Sequence, residues 1–400
     1  MVLRSDRGQM RVVLGVIVSG FCAFLQLYAP QPLLVLFRQT FGESEARVSL
    51  IMSAATIAVA AASPFVGILA DAIGRKRVIV PCLFALTASA VGCAAARDLD
   101  QIILWRFLGG VFTPGVIVAT LAYISEESPA GEAGSTTALY VTGTVVGGLT
   151  GRLAAAFAAD HLSWRWSFLI LAMLTLAGAT GAWVLLPRSR KFQRRSHWRQ
   201  SLSSLAGHLR NPGLLATYLA GFNVLFCHVG LFTYLNFHLG RPPFSLSTSA
   251  LGSIFLVYAL GIVVTPLSGK VVDRAGHRAA AALAVALVIG GAFLTLAMNL
   301  WLIVAGVAIA STGVFVAQAA ASSHIGHAAK IAKSAASGLY VGCYYLGGSV
   351  GATALVLAWN WRGWPAIVAA VVTAQLIALV IIWEFFARGE AEHEEPLPIE

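Results

Sequence analysis

Residues 64–80 read Pro-Phe-Val-Gly-Ile-Leu-Ala-Asp-Ala-Ile-Gly-Arg-Lys-Arg-Val-Ile-Val, a short polar turn between two long apolar runs. The turn contains one carboxylate, Asp71, one glycine, Gly74, and three consecutive cations at residues 75–77. A chain that crosses a bilayer as a helix, reverses on one side and crosses back carries this kind of pattern. We therefore predict two membrane-spanning helices joined by a turn of a few residues.

Three segments of the first half recur in the second half, in the same order and at offsets between 197 and 202 residues. Residues 139–151 recur as 339–351, and Trp164-Arg165 recurs as Trp361-Arg362. The repeats indicate that a unit of six helices was duplicated, with both copies running in the same direction. The opening turn recurs at an offset of 202, with Pro64, Gly67, Asp71, Gly74, Arg75 and Lys76 matched by Pro266, Gly269, Asp273, Gly276, His277 and Arg278.

The composition argues against a soluble protein. Hydrophobic residues make up 58% of the 400 residues and charged residues only 11%, whereas soluble domains carry about 25% charged residues. Apolar runs near twenty residues are long enough to cross the hydrocarbon core of a bilayer as helices. We count twelve such runs, at residues 12–36, 47–70, 78–96, 101–124, 134–158, 165–187, 213–238, 248–270, 280–298, 301–323, 334–358 and 364–386.

The predicted fold class is an all-α integral membrane protein, with twelve transmembrane helices in two pseudo-symmetric six-helix bundles. Arginines precede the first run, as in a signal peptide. That run is too long for a signal peptide and lacks a clear cleavage site, so we interpret it as a retained helix. The predicted domains are an N-terminal bundle at 1–187, a cytoplasmic linker at 188–212, a C-terminal bundle at 213–387 and an acidic cytoplasmic tail at 388–400.

Basic residues are distributed unevenly between the two sides of the predicted membrane. With twelve spans and an internal amino terminus, 19 of the 27 Lys and Arg residues fall in the tails, the linker and the turns of one side. Because cytoplasmic segments carry such an excess, we predict that both termini are cytoplasmic. The same distribution accounts for the net charge of +10, so we expect the lipid bilayer and no nucleic acid as a partner.

The sequence contains no motif of an enzyme. It has no HExxH, Walker or GxSxG motif and no Ser/His/Asp set, and it has no room for a sizeable soluble domain. The five cysteines all lie in apolar runs without a CxxC pair, which favours buried apolar residues over a metal site or disulfides. We expect no enzymatic activity, no cofactor and no metal; a membrane enzyme or receptor is the competing class.

Several features have two interpretations that the residues leave open. Pro30 and Pro32 interrupt the first span, either as a packing kink or as a segment that lines a cavity. Arg106 lies about five residues into its span, and it either marks a functional site or extends to the membrane interface. His228 lies near the middle of the seventh span, where it is either a proton site or a donor to a neighbouring helix.

The turn at residues 67–77, Gly-Ile-Leu-Ala-Asp-Ala-Ile-Gly-Arg-Lys-Arg, closely resembles the signature between helices two and three of the major facilitator superfamily. The sequence Leu-Trp-Arg-Phe-Leu-Gly-Gly at 104–110 resembles the fourth-helix motif of its drug:proton antiporters, without the usual glutamine. The glycines of 143–151 resemble the antiporter motif of the fifth helix, without its usual proline. Residues 135–153 and 322–351 are similar to YnfM-like bacterial exporters, a subgroup associated with sensitivity to the cationic dye acriflavine.

The resemblance implies a bacterial inner-membrane transporter whose halves rock around a central cavity lined by helices 1, 4, 7 and 10, with additions from helices 5, 8 and 11. Aromatic rings and a few polar groups at these positions suit an amphipathic organic substrate. The implied substrate-binding residues are Gln26, Tyr28, Gln31, Arg106, Thr113, Arg152, Asn223, His228, Tyr234, Tyr258, Ser311, Gln318, Tyr340 and Tyr344.

The cavity is expected to contain basic side chains and no carboxylate. None of the 17 Asp and Glu residues lies deep in a span, and the ionisable groups expected inside the membrane are Arg106, Arg152 and His228, with His238 as a further candidate. Many drug:proton antiporters use a membrane-embedded carboxylate, so this chain departs from the resemblance. We expect a neutral to positive cavity that prefers anionic, zwitterionic or neutral substrates, in conflict with the acriflavine association. Export is favoured by resemblance, and import of a metabolite is the alternative within the same fold.

The resemblance also implies an inner gate at the turn, and protons as the candidate coupling ion through His228 or Asp71. Carboxylates between helices four and five face basic counterparts between helices ten and eleven, which are either an inner latch or unrelated surface charges. We expect a monomer that acts on a small-molecule substrate. The predicted gating residues are Asp71, Arg75, Arg77, Asp273, Arg278, Glu126, Glu127 and Lys333.

Overall fold

The computed structural model describes residues 2–128, 132–187, 207–328 and 333–391, and in these ranges every regular element is a helix. Side chains are described for 9–128, 132–187, 207–324 and 336–384. The α-helices are α1 (Val2–Leu27), α2 (Leu34–Phe41), α3 (Glu45–Ile73), α4 (Arg75–Ala95), α5 (Leu99–Glu127), α6 (Ala133–His161), α7 (Trp164–Leu185), α8 (Pro212–Leu239), α9 (Thr248–Ile254), α10 (Leu260–Leu294), α11 (Leu300–Ala328), α12 (Lys333–Ala354), α13 (Val356–Arg362) and α14 (Trp364–Ala391).

Short 3-10 turns interrupt the helices of two predicted spans, the first and the eighth. The first span breaks between α1 and α2, at the predicted site, where a 3-10 turn covers Gln31–Leu33 and includes Pro32. The second break separates α9 from α10 by a 3-10 turn at Phe255–Ala259. The sequence analysis did not predict this second break, because the segment contains no proline or glycine.

The two copies of the predicted turn have the same backbone geometry. Gly74, between α3 and α4, has φ 100° and ψ 142°, and Gly276, inside α10, has φ 78° and ψ 165°. Residues other than glycine rarely adopt a positive φ angle, so these two positions favour glycine. The residue two positions later also repeats its contact, since Lys76 Nζ donates to the Trp183 carbonyl at 2.6 Å and Arg278 Nη2 to the Trp383 carbonyl at 2.8 Å.

Eleven helical segments among the described residues are long and apolar enough to cross a membrane. Ten of them are between 21 and 33 residues long, whereas Thr248–Leu294 has 47 residues. This long segment contains the sharp turn at Gly276, where two helices meet. The difference from the predicted twelve spans therefore arises at one position, where the two helices that meet at Gly276 are counted as one segment.

The described chain forms two compact units. The first unit contains the described residues of Met1–Trp198 and Leu235–Ala259, and the second unit contains those of Arg199–Tyr234 and Leu260–Glu400. Contacts of α8 beyond Tyr234 and of α9 therefore belong to the first unit. The predicted domain boundaries at 187 and 213 remain predictions.

Each unit contains the same close helix pair. In the first unit, a Cβ atom on Gly147 of α6 would lie 2.7 Å from the Cα of Phe21 on α1. In the second unit, a Cβ atom on Gly347 of α12 would lie 2.8 Å from the Cα of Phe222 on α8. The repeated sequence at an offset of 200 therefore corresponds to a repeated contact, in which glycines let two backbones approach.

Candidate functional site

Arg152 lies at the centre of the most unusual cluster in the first unit. Its guanidinium carbon lies over three aromatic rings, at 4.9 Å from the Tyr28 centroid, 4.9 Å from Phe255 and 4.5 Å from Tyr258. The side chain is nearly inaccessible, since only 4% of the residue is exposed. Cations are attracted to the negative faces of aromatic rings, so the rings stabilise the charge inside the unit. We call these four residues the arginine cage.

Two polar contacts fix the guanidinium inside the arginine cage. Arg152 Nε donates to Gln31 Oε1 at 3.2 Å, and Nη1 donates to the Gly148 carbonyl at 2.9 Å. Gln31 belongs to the 3-10 turn that breaks the first span, and only 1% of it is exposed. Within the described part of the chain Arg152 forms no ion pair. Its charge is therefore met by rings and neutral oxygens alone.

The helices around the arginine cage place its rings by their periodicity. Tyr28 follows the end of α1, where the helix has already broken. Phe255 and Tyr258 lie three residues apart in a 3-10 turn, and side chains at this spacing point the same way because a 3-10 helix has three residues per turn. Arg152 thus contacts three other residues that the sequence analysis predicted as substrate-binding, namely Tyr28, Gln31 and Tyr258.

Arg106, the second buried cation of the first unit, contacts the end of α1. Its Nη1 donates to the Gln26 carbonyl at 2.7 Å, and its Nη2 donates to the Leu27 carbonyl. The last carbonyls of a helix lack partners within the helix, and they favour a positive charge. Only 5% of Arg106 is exposed, and its Nε has no acceptor in the described residues. Arg106 therefore caps α1 inside the protein.

The predicted inner gate contains a buried ion cluster. Arg75 opens α4, and its Nη2 lies 2.7 Å from Glu126 Oε1 near the end of α5. The same Nη2 also pairs with Asp71 near the end of α3. The Arg75 side chain is 9% exposed, against 33% for Asp71 and 28% for Glu126. One guanidinium thus links three helix ends, while Glu127 is half-buried at the same end of α5.

The other predicted gating residues differ in their surroundings. Arg77 is exposed and forms no ion pair within the described ranges. Asp273 is exposed, and Arg278 lies 5.5 Å from the Trp383 ring as well as bonding its carbonyl. The side chain of Lys333 lies outside the described residues, so the proposed latch to the acidic side remains a prediction.

In the second unit, two predicted tyrosines and a glutamine lie together. Tyr340 Oη donates to Gln318 Oε1 at 3.1 Å, and the Tyr340 and Tyr344 rings are stacked with centroids 6.0 Å apart. The Tyr340 ring also packs against Gly221 of α8. This arrangement offers π faces and one amide, which suits an organic ligand better than a metal ion.

The remaining candidates of the second unit are dispersed. Tyr234 Oη donates to the Ala352 carbonyl at 2.9 Å, and the residue is fully buried. Asn223 lines a small internal cavity together with Gln375. His228 is half-buried, with its ring 5.2 Å from a phenylalanine ring on the same helix. These residues have structural contacts and do not converge on one point within the unit.

Three further candidates are buried in helix contacts. Gln26 Nε2 donates to Thr175 Oγ1 at 2.8 Å. Thr113 Oγ1 donates to the Gly109 carbonyl of the preceding turn at 2.9 Å. Ser311 is 1% exposed, and its Oγ has no hydrogen-bond partner among the described residues. These three residues do not lie together in one group, so the arginine cage and the group of Tyr340, Tyr344 and Gln318 remain the best-formed candidate sites.

Comparison with known proteins identifies the family. Residues 16–352 match the family model of the Major Facilitator Superfamily. The chain belongs to this superfamily. The inner membrane transport protein YnfM of Escherichia coli is 33% identical over 373 residues, which cover 93% of this chain and 89% of YnfM. The family prediction is thereby confirmed, and the protein is a multi-pass membrane transporter.

Two other similarities of this superfamily member are less specific. The multi-drug resistance efflux pump PmrA of Streptococcus pneumoniae is 32% identical over 144 residues, which cover only 35% of this chain and 36% of PmrA. The solved structure of the nucleoside transporter NupG has a TM-score of 0.75 and covers 94% of this chain and 100% of its own, at 13% identity. This second similarity shows the fold alone.

Sequence reasoning missed several contacts of this transporter's first unit. Glu45 pairs with Arg38 at 2.9 Å and also with Arg241. Asp160 Oδ2 accepts the backbone N–H of Ser249 at 3.3 Å. The Glu45–Arg241 and Asp160–Ser249 contacts join residues more than 85 positions apart, so no local pattern predicted these two.

Proposed function

We propose that the protein is a secondary active transporter that exports small organic molecules, drugs or metabolites, across the bacterial inner membrane by alternating access. Kinship with YnfM over most of both chains supports transport at that membrane. The partial similarity to an efflux pump supports export. The alternative is an importer or facilitator of an anionic or zwitterionic metabolite.

We further propose that the substrate binds with an anionic, zwitterionic or neutral group near Arg152. The observation that carries this proposal is a buried guanidinium that forms no ion pair with any described residue. The described carboxylates Asp71, Glu126 and Asp160 lie near helix ends. A buried charge without a counter-ion is costly, so an anionic substrate group gains from pairing with it.

Transport in everted membrane vesicles tests both proposals. We expect energised vesicles to accumulate carboxyfluorescein, an anion, at least about tenfold more than ethidium, a cation. Arg152→Gln is expected to abolish this accumulation, whereas Arg362→Gln, which changes an exposed arginine stacked on Trp361, is expected to preserve it. Fluorescence is recorded with and without nigericin, because proton antiport through His228 or Asp71 would make accumulation depend on the pH gradient.

Other outcomes of the vesicle experiment contradict the proposals separately. Accumulation of ethidium that survives Arg152→Gln would contradict the anion preference. Uptake of carboxyfluorescein only by right-side-out vesicles would favour import over export. Accumulation in neither orientation would contradict an exporter of organic anions.

We also propose that Thr248–Leu294 crosses the membrane twice, which gives twelve transmembrane helices with both termini in the cytoplasm. The length of 47 residues is about twice the twenty needed for one span. Arg274 is exposed near Gly276. We therefore expect Arg274→Cys to react with a membrane-impermeant thiol reagent only in permeabilised cells. Leu162 follows the end of α6, which faces the outside in this topology, so Leu162→Cys is expected to react in intact cells. Labelling of Arg274→Cys in intact cells would contradict this topology.

A further inference from the structure

One face of α6 contacts α9 and the 3-10 turn after it at three successive levels. Arg152, Ala156 and Asp160 are spaced by four residues and so share one side of the helix. Asp160 accepts the N–H of Ser249, Ala156 packs against Gly252, and Arg152 holds the rings of the arginine cage. We call these three contacts the α6 zipper.

The α6 zipper is tightly closed in this structure. A Cβ atom on Gly252 would overlap the Ala156 methyl group and would lie 3.6 Å from the Arg152 carbonyl. Ala156 is only 1% exposed. The contact at Gly252 therefore has no space for a side chain, and water reaches Ala156 only if α9 moves away from α6.

Of the three contacts of the α6 zipper, the one at Arg152 lies furthest from the C-terminal end of α6. It lies nine residues before the end of α6 at His161, which is about 13 Å along the helix axis. Asp160 lies at that end. In the proposed topology this end faces outside, so a substrate that approaches from the cytoplasm meets Arg152 before the other two contacts.

The guanidinium of Arg152 has donors to spare. Of the five N–H groups of an arginine, two donate to acceptors in the described part of the chain. The other interactions of the guanidinium are with Tyr28, Phe255 and Tyr258. A carboxylate that binds both terminal nitrogens forms stronger, charge-assisted hydrogen bonds than a neutral oxygen or a ring.

We propose that an aromatic carboxylate releases the α6 zipper by drawing the Arg152 guanidinium out of the arginine cage. The carboxylate replaces the rings as the partner of the charge, and the freed faces of Phe255 and Tyr258 stack on the aromatic part of the ligand. Closure then depends only on the Ala156 and Asp160 levels. Binding of the substrate is thereby coupled to opening on the outer side. This inference rests on the proposed function and names its substrate class.

A cysteine reporter at the Ala156 level tests the inference without a transport assay. The variant Ala156→Cys is prepared in nanodiscs with the five native cysteines replaced by alanine, and its labelling by a membrane-impermeant thiol reagent is timed. At about pH 8, where carboxylates are ionised and amines are protonated, we expect 2-naphthoate to speed labelling about fivefold or more by shifting the population towards the open zipper. The matched cation 2-naphthylmethylamine is expected to have no effect.

Three variants control the reporter. Arg152→Gln is expected to remove the response to 2-naphthoate, and Arg152→Lys to weaken it, because an ammonium group cannot bind a carboxylate through two parallel nitrogens. Gly252→Leu wedges the zipper and is expected to speed labelling without any ligand. Leu162→Cys, which is 63% exposed, is expected to label rapidly under all conditions.

Several results would overturn the inference. They are an absence of response to 2-naphthoate, an equal response to the amine, a response that persists in Arg152→Gln, or slow labelling in Gly252→Leu. Since labelling in nanodiscs needs no gradient, its failure is distinct from failure of export in vesicles. A zipper that responds to 2-naphthoate without vesicle accumulation would keep the inference and reject the exporter.

Discussion

Gly147→Ala is expected to lower the unfolding temperature of the protein by about 2 °C or more, which follows from a destabilisation of about 2 kcal/mol or more by overpacking. The added methyl group would lie 2.7 Å from the Phe21 Cα atom and would overlap the Phe21 carbonyl. Both obstacles are backbone atoms, so no side-chain rotation relieves the clash. Helices α1 and α6 must separate, and α6 carries Arg152, the centre of the arginine cage.

A matched change at Gly290 is the control for this prediction. Gly290 lies within α10, and a Cβ atom there meets no atom within 4 Å. Because alanine is favoured over glycine in a helix by about 0.8–1 kcal/mol, Gly290→Ala is expected to preserve or raise the unfolding temperature. Both variants are purified in one detergent and compared by thermal unfolding monitored by size-exclusion chromatography.

The duplication allows a second comparison. Gly347 faces the Phe222 carbonyl in the same way as Gly147 faces that of Phe21, so Gly347→Ala is expected to have an effect of similar size. An unchanged unfolding temperature in both alanine variants would contradict the proposed packing. A large effect of Gly147→Ala alone would show that the two copies no longer share the contact energetically.

The sequence predicted the fold well because the determinants of a membrane helix are local. Apolar length, the turn glycines and the repeat at a constant offset all lie within a few residues, so Gly74 and Gly276 were identified as turn residues without a structure. The count of spans differs at Gly276 because the two helices that meet there are separated by a single non-helical residue and form one segment of 47 residues. The family resemblance, confirmed by the match over residues 16–352, rests on the same local motifs.

The candidate site was harder to predict because it depends on contacts between distant residues. The sequence analysis predicted four residues of this site as substrate-binding, namely Tyr28, Gln31, Arg152 and Tyr258. Nothing in the sequence indicated that the Arg152 guanidinium contacts the other three. Phe255 was missed because a phenylalanine in an apolar run resembles any lipid-facing residue. Arg106 was predicted as a substrate-binding residue, but its acceptors are backbone carbonyls. Every residue has a backbone carbonyl, so no sequence motif distinguishes these acceptors.

Arg75→Ala is expected to reduce transport at least about tenfold and to destabilise the protein by about 2 kcal/mol, less than the 3–5 kcal/mol typical of a fully buried broken ion pair. The smaller value follows because Asp71 and Glu126 retain roughly a third of their exposure. Both carboxylates lie near helix C-termini, where the helix dipole opposes a negative charge. Arg75 offsets this repulsion and joins the ends of α3 and α5 to the start of α4.

Arg77 provides the matched control for Arg75, since it belongs to the same turn and carries the same charge. It is exposed and has no ion pair in the described ranges, so Arg77→Ala is expected to change stability by less than about 0.5 kcal/mol. Adding Glu126→Gln to Arg75→Ala removes one uncompensated carboxylate and is expected to recover part of the stability. Transport is not expected to recover, because the link between the three helices is still missing. Equal losses in Arg75→Ala and Arg77→Ala would show that only the net charge of the turn matters, and vesicle uptake with thermal unfolding of each variant distinguishes the two cases.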